Sequence, residues 1–398
     1  MSFTNKVKIG VKRWGSISCL GAEEDRITQN WNSPCHNLSW DEKLKSWVSK
    51  LDEETEKLIK ELQQENKYYA KIDRCVLLAI LAARKAIKNC GWSASADIGL
   101  NLGSSRGTTG LLEKNIISFH STGETPLLSS PLTSAGNISS WVAHDLGIRT
   151  IAFDHSVTCS SATYALANGL AWLYSGLTSK MLVGGVEAPL TPFTIAQMRK
   201  LGIYTNASPS WPYPCQPLSQ AKQNSFVLGE GCAIFGLEKM NPAANYLATI
   251  QSIGFAQEPI TTPTGITPNA QALQLACQKA LAQAHLSPDK IDLILTHAPG
   301  TFAGDSAEIN GLKHIFGDNL PYCYSPKWKI GHLLGASSAL SIELALLILN
   351  QKVKIEPLPY PTFQKEKKPP LVAQHILVNS LGFGGNAMCI ILSKSEKN

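Results

Sequence analysis

Residues 157–176 read VTCSSATYALANGLAWLYSG, and KMLVGG follows at 180–185. The second stretch is a short apolar run closed by glycines, the mark of a buried strand. In the first, Ser160 to Tyr174 repeats apolar residues at helical spacing, and Ile151 to Phe153 ahead of it reads as another short strand. Strand, helix and strand in close succession form the unit from which parallel sheets are built. Cys159 stands at the seam between strand and helix. A thiol there meets the unpaired backbone N–H groups and the positive end of the helix dipole, which favour the nucleophilic thiolate. The same N–H groups suit an oxyanion site.

The pattern continues on both sides. Asp73 opens DRCVLLAILAARKAIKNCG, an Ala/Leu-rich helix stopped by Gly91, and IGLNLGSSRG (98–107) is a strand running into a Gly/Ser turn. Phe226 to Leu237 reads as a strand. A second series follows: strand 246–254, helix 268–285, strand 291–296, helix 305–316, helix 332–350, and strands near 375–379 and 387–392. This alternation predicts a largely parallel sheet covered on both faces. The similar order of the two series points to a duplicated unit, with halves at 1–240 and 241–398. Residues 41–66 alternate charges around Leu44, Trp47, Leu51, Leu58 and Leu62, which predicts one or two solvated amphipathic helices over the core. The first 70 residues are the most polar part, and NASPSWPYPCQP (206–217) is a long irregular loop of the kind that borders sites.

Composition narrows the class. The 398 residues are 44% hydrophobic and 17% charged with a formal net charge of +6, a globular balance with no dense Lys/Arg block for nucleic acid. The ten cysteines lie apart, with no CxxC and no Cys/His cluster at zinc spacing, so neither a disulfide framework nor a metal site is expected. Met1 to Lys12 carries charge with no apolar stretch behind it, so no signal peptide is expected and the reducing cytoplasm is the expected compartment. Leu333 to Leu349 is apolar but broken by Ser337, Ser338, Ser341 and Glu343, which reads as a core helix and not a membrane span.

Two histidines stand where partners for Cys159 would be. His297 follows the apolar strand IDLIL in LTHAPGTFAGDSAEINGL, and His332 opens a helix in SPKWKIGHLLGAS, five residues after Lys327. Strand carboxyl ends and helix amino ends share one edge of an α/β sheet, where sites form. His155, four residues before Cys159, reads as a local structural residue.

These segments carry a resemblance. CSS followed by a helix and MLVGGVEA (181–188) resembles the nucleophile region of the elongating β-ketoacyl-acyl-carrier-protein synthases. HAPGTFAGDSAE (297–308) is similar to that family's HGTGT-x-x-GD-x-x-E segment, and SPKWKIGHLLGAS (325–337) to its S-x-K-x-x-x-GH-x-x-GA segment. FVLGEGCAIFGLEK (226–239) and NSLGFGGNA (379–387) match two further blocks in the correct order. The resemblance implies the thiolase fold: α/β, duplicated, a five-layered α/β/α/β/α sandwich, normally dimeric. It implies that Cys159 takes an acyl group from a carrier-protein thioester and that His297 and His332 stabilise the enolate of a malonyl unit. The N–H groups of Cys159 and Phe383 would hold the oxyanion. Lys327, paired with Glu308, would set the local charge, and Glu230 and Asp305 would be scaffolding. No metal or organic cofactor is implied. The partners implied are an acyl carrier protein and a second subunit, either another copy or a paralogue.

The sequence departs from the pattern in four places. Ala298-Pro299 replaces the usual Gly-Thr; GFGGNA (382–387) is one residue shorter than GFGGTNA; the match weakens ahead of Asp73; and GSSRGTTG (103–110) brings Arg106 and Thr108 to a segment expected to shape the acyl site. These departures suggest a polyene or polyketide pathway. A non-catalytic chain-length-factor-like subunit is the alternative, against which Cys159 stands. A degradative thiolase would need a second catalytic cysteine near the carboxyl end, and an initiating synthase would carry asparagine at 332.

Overall fold

The computed structural model describes residues 7–93, 96–259, 265–364 and 367–395. The amino-terminal half runs β1 (Ile9–Ser18), α1 (Glu24–Asn32), β2 (Ser39–Asp41), β3 (Ser46–Ser49), α2 (Glu53–Glu65), α3 (Arg74–Cys90), β4 (Ile98–Gly103) and α4 (Thr109–Thr122). It continues with α5 (Ser129–Thr133), α6 (Asn137–Leu146), β5 (Ala152–His155), α7 (Ser161–Ser175), β6 (Lys180–Glu187), α8 (Pro192–Lys200), β7 (Leu228–Gly229) and β8 (Gly231–Lys239). The second half is β9 (Ala248–Gln257), α9 (Gln271–Ala284), β10 (Leu293–Leu295), α10 (Phe302–Phe316), β11 (Tyr322–Tyr324), α11 (Lys327–Ile330), α12 (Ser337–Leu349), β12 (His375–Gly382) and β13 (Asn386–Lys394).

Ten strands join in the order β11-β10-β12-β13-β9-β1-β8-β6-β4-β5. The order is two copies of one pattern. β1–β8 and β8–β6 are antiparallel, whereas β6–β4 and β4–β5 are parallel. Likewise β9–β13 and β13–β12 are antiparallel, whereas β12–β10 and β10–β11 are parallel. Each half-sheet is therefore mixed and not largely parallel; in the second half the three-residue turn 383–385, too short for a crossover, makes β12 and β13 a hairpin. The halves meet where Ile9–Val11 of β1 pairs with Ala248–Ile250 of β9.

α12 is predominantly apolar, and all of its residues, Ser337, Ser338, Ser341 and Glu343 included, are buried. That composition belongs to a helix with no solvent face; α12 packs against α7 and against strands of both half-sheets. α3 covers β1, β8 and β6, and α9 covers β9 and β13, so the layers run α/β/α/β/α. Asp73 caps α3 by accepting from Cys75 N at 2.8 Å, and Gly91 ends it at φ 67°.

Two expectations fail in the amino-terminal region. Only 53–65 of the 41–66 stretch is helical; Trp47 and Val48 lie in a buried hairpin strand that pairs with β7. The polar first 70 residues also contain β1, which is central to the sheet. IGVKRWGSIS was missed because Lys12 and Arg13 interrupt its apolar run at a register shift between Val11 and Arg13.

Candidate active site

The duplication places Cys159 and one histidine in equivalent positions. Cys159 lies between β5 and α7, and His332 between β11 and α12, the corresponding pair in the second half. His297 lies after β10, the counterpart of β4. The three converge on one cavity of about 270 Å³. Phe226, Glu308, Leu334, Phe383 and Asn386 also line it, with Met198, Leu201 and Ile203 on another wall.

The turn carrying Cys159 is tightly held. Ser161 Oγ donates to Thr158 O at 2.7 Å and accepts from Val157 N at 2.9 Å, which gives the second serine of the CSS motif its local role. The backbone N–H groups of Cys159 and Phe383 have no backbone acceptor among the described residues. Burial is the largest influence on the thiol and pushes it up to about 12; Lys327 and Arg106 pull it down, and Glu187 pushes it further up. Burial thus works against the ionisation that the helix start and Lys327 favour. Cys159 itself is only partly buried and lines the cavity.

His332 is almost fully buried and firmly held. Its N–H donates to Val227 O at 2.7 Å, its carbonyl accepts from Gly229 N at 3.0 Å, and the Phe226 ring packs 5.0 Å from its own. The FVLGEG block thus anchors the second histidine. Nδ1 accepts from Leu334 N at 2.9 Å and lies 3.3 Å from Ser337 Oγ. A backbone N–H can only donate, so the proton of the neutral ring is on Nε2. Burial first, then Lys327, holds His332 well below its ordinary pKa. His297 is neutral for the same two reasons, with a further contribution from His332, whose ring lies edge-on at 5.3 Å.

Glu308 acts on the backbone around His297. Its carboxylate accepts from His297 N at 2.9 Å, Ala298 N at 2.6 Å and Asn379 Nδ2 at 2.9 Å. These bonds occupy both of its oxygens, and no salt bridge joins it to Lys327 among the described residues. The expected Lys327–Glu308 pair is thus replaced by action at a distance. Burial lowers Lys327 to about 8, and the field of Glu308 opposes that shift. The charge of Lys327 in turn helps keep both histidines neutral.

Arg106 and Thr108 do not line the cavity. Arg106 donates to Gln197 Oε1 at 2.9 Å, and Thr108 is buried at the start of α4. The 206–217 loop does not reach the cavity either; residues just outside it, Ile203 and Asn224, do. Glu230 and Asp305 hold scaffolding positions. Glu230 binds Arg74 Nε at 2.7 Å, and Asp305 accepts from Leu218 N at 2.7 Å and Gly300 N at 3.1 Å. His155 is turned to Asn168, its Nε2 lying 3.3 Å from Nδ2. Sequence reasoning missed Phe226, Asn379 and Glu187. Glu187, fully buried, accepts from Ser105 Oγ at 2.6 Å and Gly335 N at 3.2 Å and so ties the two halves together behind the site. All three fall in quoted blocks, but only tertiary contact shows what they touch.

Comparison with known proteins gives the same picture. Residues 39–243 match the beta-ketoacyl synthase N-terminal domain and residues 247–359 the C-terminal domain. Nodulation protein E of Rhizobium leguminosarum bv. trifolii is 29% identical over 313 residues, covering 75% of each chain. The 3-oxoacyl-[acyl-carrier-protein] synthase 2 of Staphylococcus aureus (strain MRSA252) is 25% identical, covering 99% of this chain and all of that one. Among solved structures, the ishigamide ketosynthase/chain length factor superposes with a TM-score of 0.85 at 20% identity, covering 98% of this chain and all of that chain, a likeness of fold. The two matched domains together contain Cys159, His297, Lys327 and His332, and the chain belongs to the beta-ketoacyl synthase family, enzymes of the acyltransferase class.

Proposed function

We propose that this chain condenses an acyl group held on Cys159 with a malonyl unit, both delivered as thioesters of an acyl carrier protein. The observation that carries the reading is the convergence of Cys159, a neutral His332 with its proton on Nε2, and His297 on one cavity. In the first half-reaction the Cys159 sulfur attacks the acyl thioester, the carrier thiol leaves, and the thiol proton passes to it. The N–H groups of Cys159 and Phe383 receive the oxyanion. In the second, the malonyl carboxylate leaves as CO2 and its bond electrons form an enolate, whose oxygen accepts hydrogen bonds from the two histidines. The enolate carbon attacks the acyl-enzyme, the C–S bond breaks, and the Cys159 thiolate takes its proton from solvent water. Neutral imidazoles suit this work because they donate without handing a proton to the enolate. The presence of Cys159 favours this reading over a chain-length-factor-like role.

Intact-mass measurement with acyl-carrier protein tests it. The chain should gain one acyl group, and Cys159→Ala should gain none. His297→Ala and His332→Ala should still be acylated while malonyl decarboxylation falls on the order of a hundredfold, the usual cost of a lost oxyanion donor. Acylation that survives in Cys159→Ala, or undiminished decarboxylation in both histidine variants, would sink the reading.

A further inference from the structure

Thr158, directly before the nucleophile, is β-branched yet sits at φ 47°. Such a conformation costs a β-branched residue free energy and persists only where the surroundings over-determine it, most often at active sites. What holds it is visible. Its carbonyl accepts from Ser161 Oγ at 2.7 Å. Its hydroxyl donates to Phe383 O at 3.2 Å and lies 3.4 Å from Asn386 Nδ2, which itself donates to Phe383 O at 2.9 Å. One hydroxyl therefore joins the nucleophile turn to the glycine-rich turn 383–385, whose Phe383 and Gly385 line the same cavity as Cys159. Gly382 makes room for this: a Cβ there would lie 2.2 Å from Thr158 Oγ1. The turn so held belongs to the block that is one residue shorter than the pattern it resembles, so it has little slack of its own. On its far side it is tied by Glu258 N to Gly385 O at 2.9 Å.

We propose that Thr158 is a positioning residue: its hydroxyl latches the 382–386 segment onto the nucleophile turn, keeping the Phe383 N–H beside Cys159. Thr158 touches no reacting atom. It acts through Phe383, and its effect falls on the step that uses that N–H, acyl transfer to Cys159, and not on the histidine-assisted loss of CO2. The catalytic consequence rests on the condensing function proposed above; the latch itself does not.

Two measurements separate them. Hydrogen exchange of the 382–386 amides reads the latch without any substrate. Thr158→Val keeps the branched shape and removes the donor, and exchange there should quicken about three- to tenfold, the range for one hydrogen bond. Thr158→Ser keeps the hydroxyl and should exchange as the parent does. With acyl-carrier protein, Thr158→Val should acylate about three- to tenfold more slowly and Thr158→Ser within about twofold of the parent, while malonyl decarboxylation changes less than about twofold in either. If Thr158→Val fails to fold, Gly382→Ala breaks the same contact from the other side and should open the segment likewise. Parent-like exchange in Thr158→Val, or equal opening in the serine variant, overturns the latch. Decarboxylation falling in step with acylation overturns its positioning role. A parent chain that takes no acyl group overturns the condensing function instead, and exchange still decides the latch.

Discussion

Cys159 shows how opposed influences settle at a single residue. A helix start and the charge of Lys327 favour its thiolate, but burial opposes it more strongly and pushes the thiol up to about 12. The reactive form is the deprotonated one, so reactivity rises with pH throughout the range below that value. Alkylation of Cys159 by iodoacetamide, followed on its own peptide because Cys35 is exposed, should increase about tenfold per pH unit from about pH 7 to about pH 9 with no plateau. A plateau near pH 8 would show that the helix and Lys327 outweigh burial. Cys159 and both histidines were legible as candidates, since each ends an apolar strand or starts a helix. The way Glu308 serves His297 was not, because a carboxylate that takes two backbone N–H groups leaves no mark on spacing.

Elements position these residues through close backbone approach. The end of β4 lies under the first turn of α7: a Cβ on Gly103 would meet Ser161 C at 2.3 Å and Ser161 O at 2.4 Å. Backbone cannot step aside as a flexible side chain does, so Gly103→Ala should push the amino end of α7, and Cys159 with it, out of register. Overpacking of this kind costs about 1–3 kcal/mol. A lower Tm together with slowed acylation is expected; unchanged values of both would show that α7 does not rest on β4 as described. The helices and strands of the second half were readable from period and length, whereas 39–49 was not. Its charges recur at helical spacing, but pairing of Val48 and Ser49 with Leu228 and Gly229 makes strand the better use of those residues.

At the scale of the molecule, two surfaces flank the site. α8 lines the cavity with Met198, while Arg199 and Lys200 flank a surface cleft together with Lys43. An acidic carrier docked there would put its thioester near the cavity, so its affinity should fall about tenfold as salt rises from about 0.05 M to about 0.5 M, where screening is strong. Lys43→Glu with Lys200→Glu should weaken binding at low salt; salt-independent titrations would point to an apolar docking surface instead. On another face, α4 exposes Leu112, Ile116, Ile117 and Phe119 and the sheet-edge strand β5 exposes Phe153. Apolar surface of that extent is usually covered by a partner. Sedimentation equilibrium should find a dimer that Ile116→Lys with Phe119→Lys dissociates; a monomeric parent chain would contradict this.

The sequence alone determined the alternation, the duplicated order and Cys159, His297 and His332 as candidates, because period, punctuation and motif are properties of neighbours along the chain. Tertiary structure alone decided the rest: that β1 is central, that Lys327 has no ion-pair partner among the described residues, that Arg106 turns to Gln197, and that Thr158 meets Phe383. Each of these depends on contacts between segments far apart in sequence, across which no local periodicity carries information, and on burial, which sets whether a charge or a proton is held only once the surrounding walls exist.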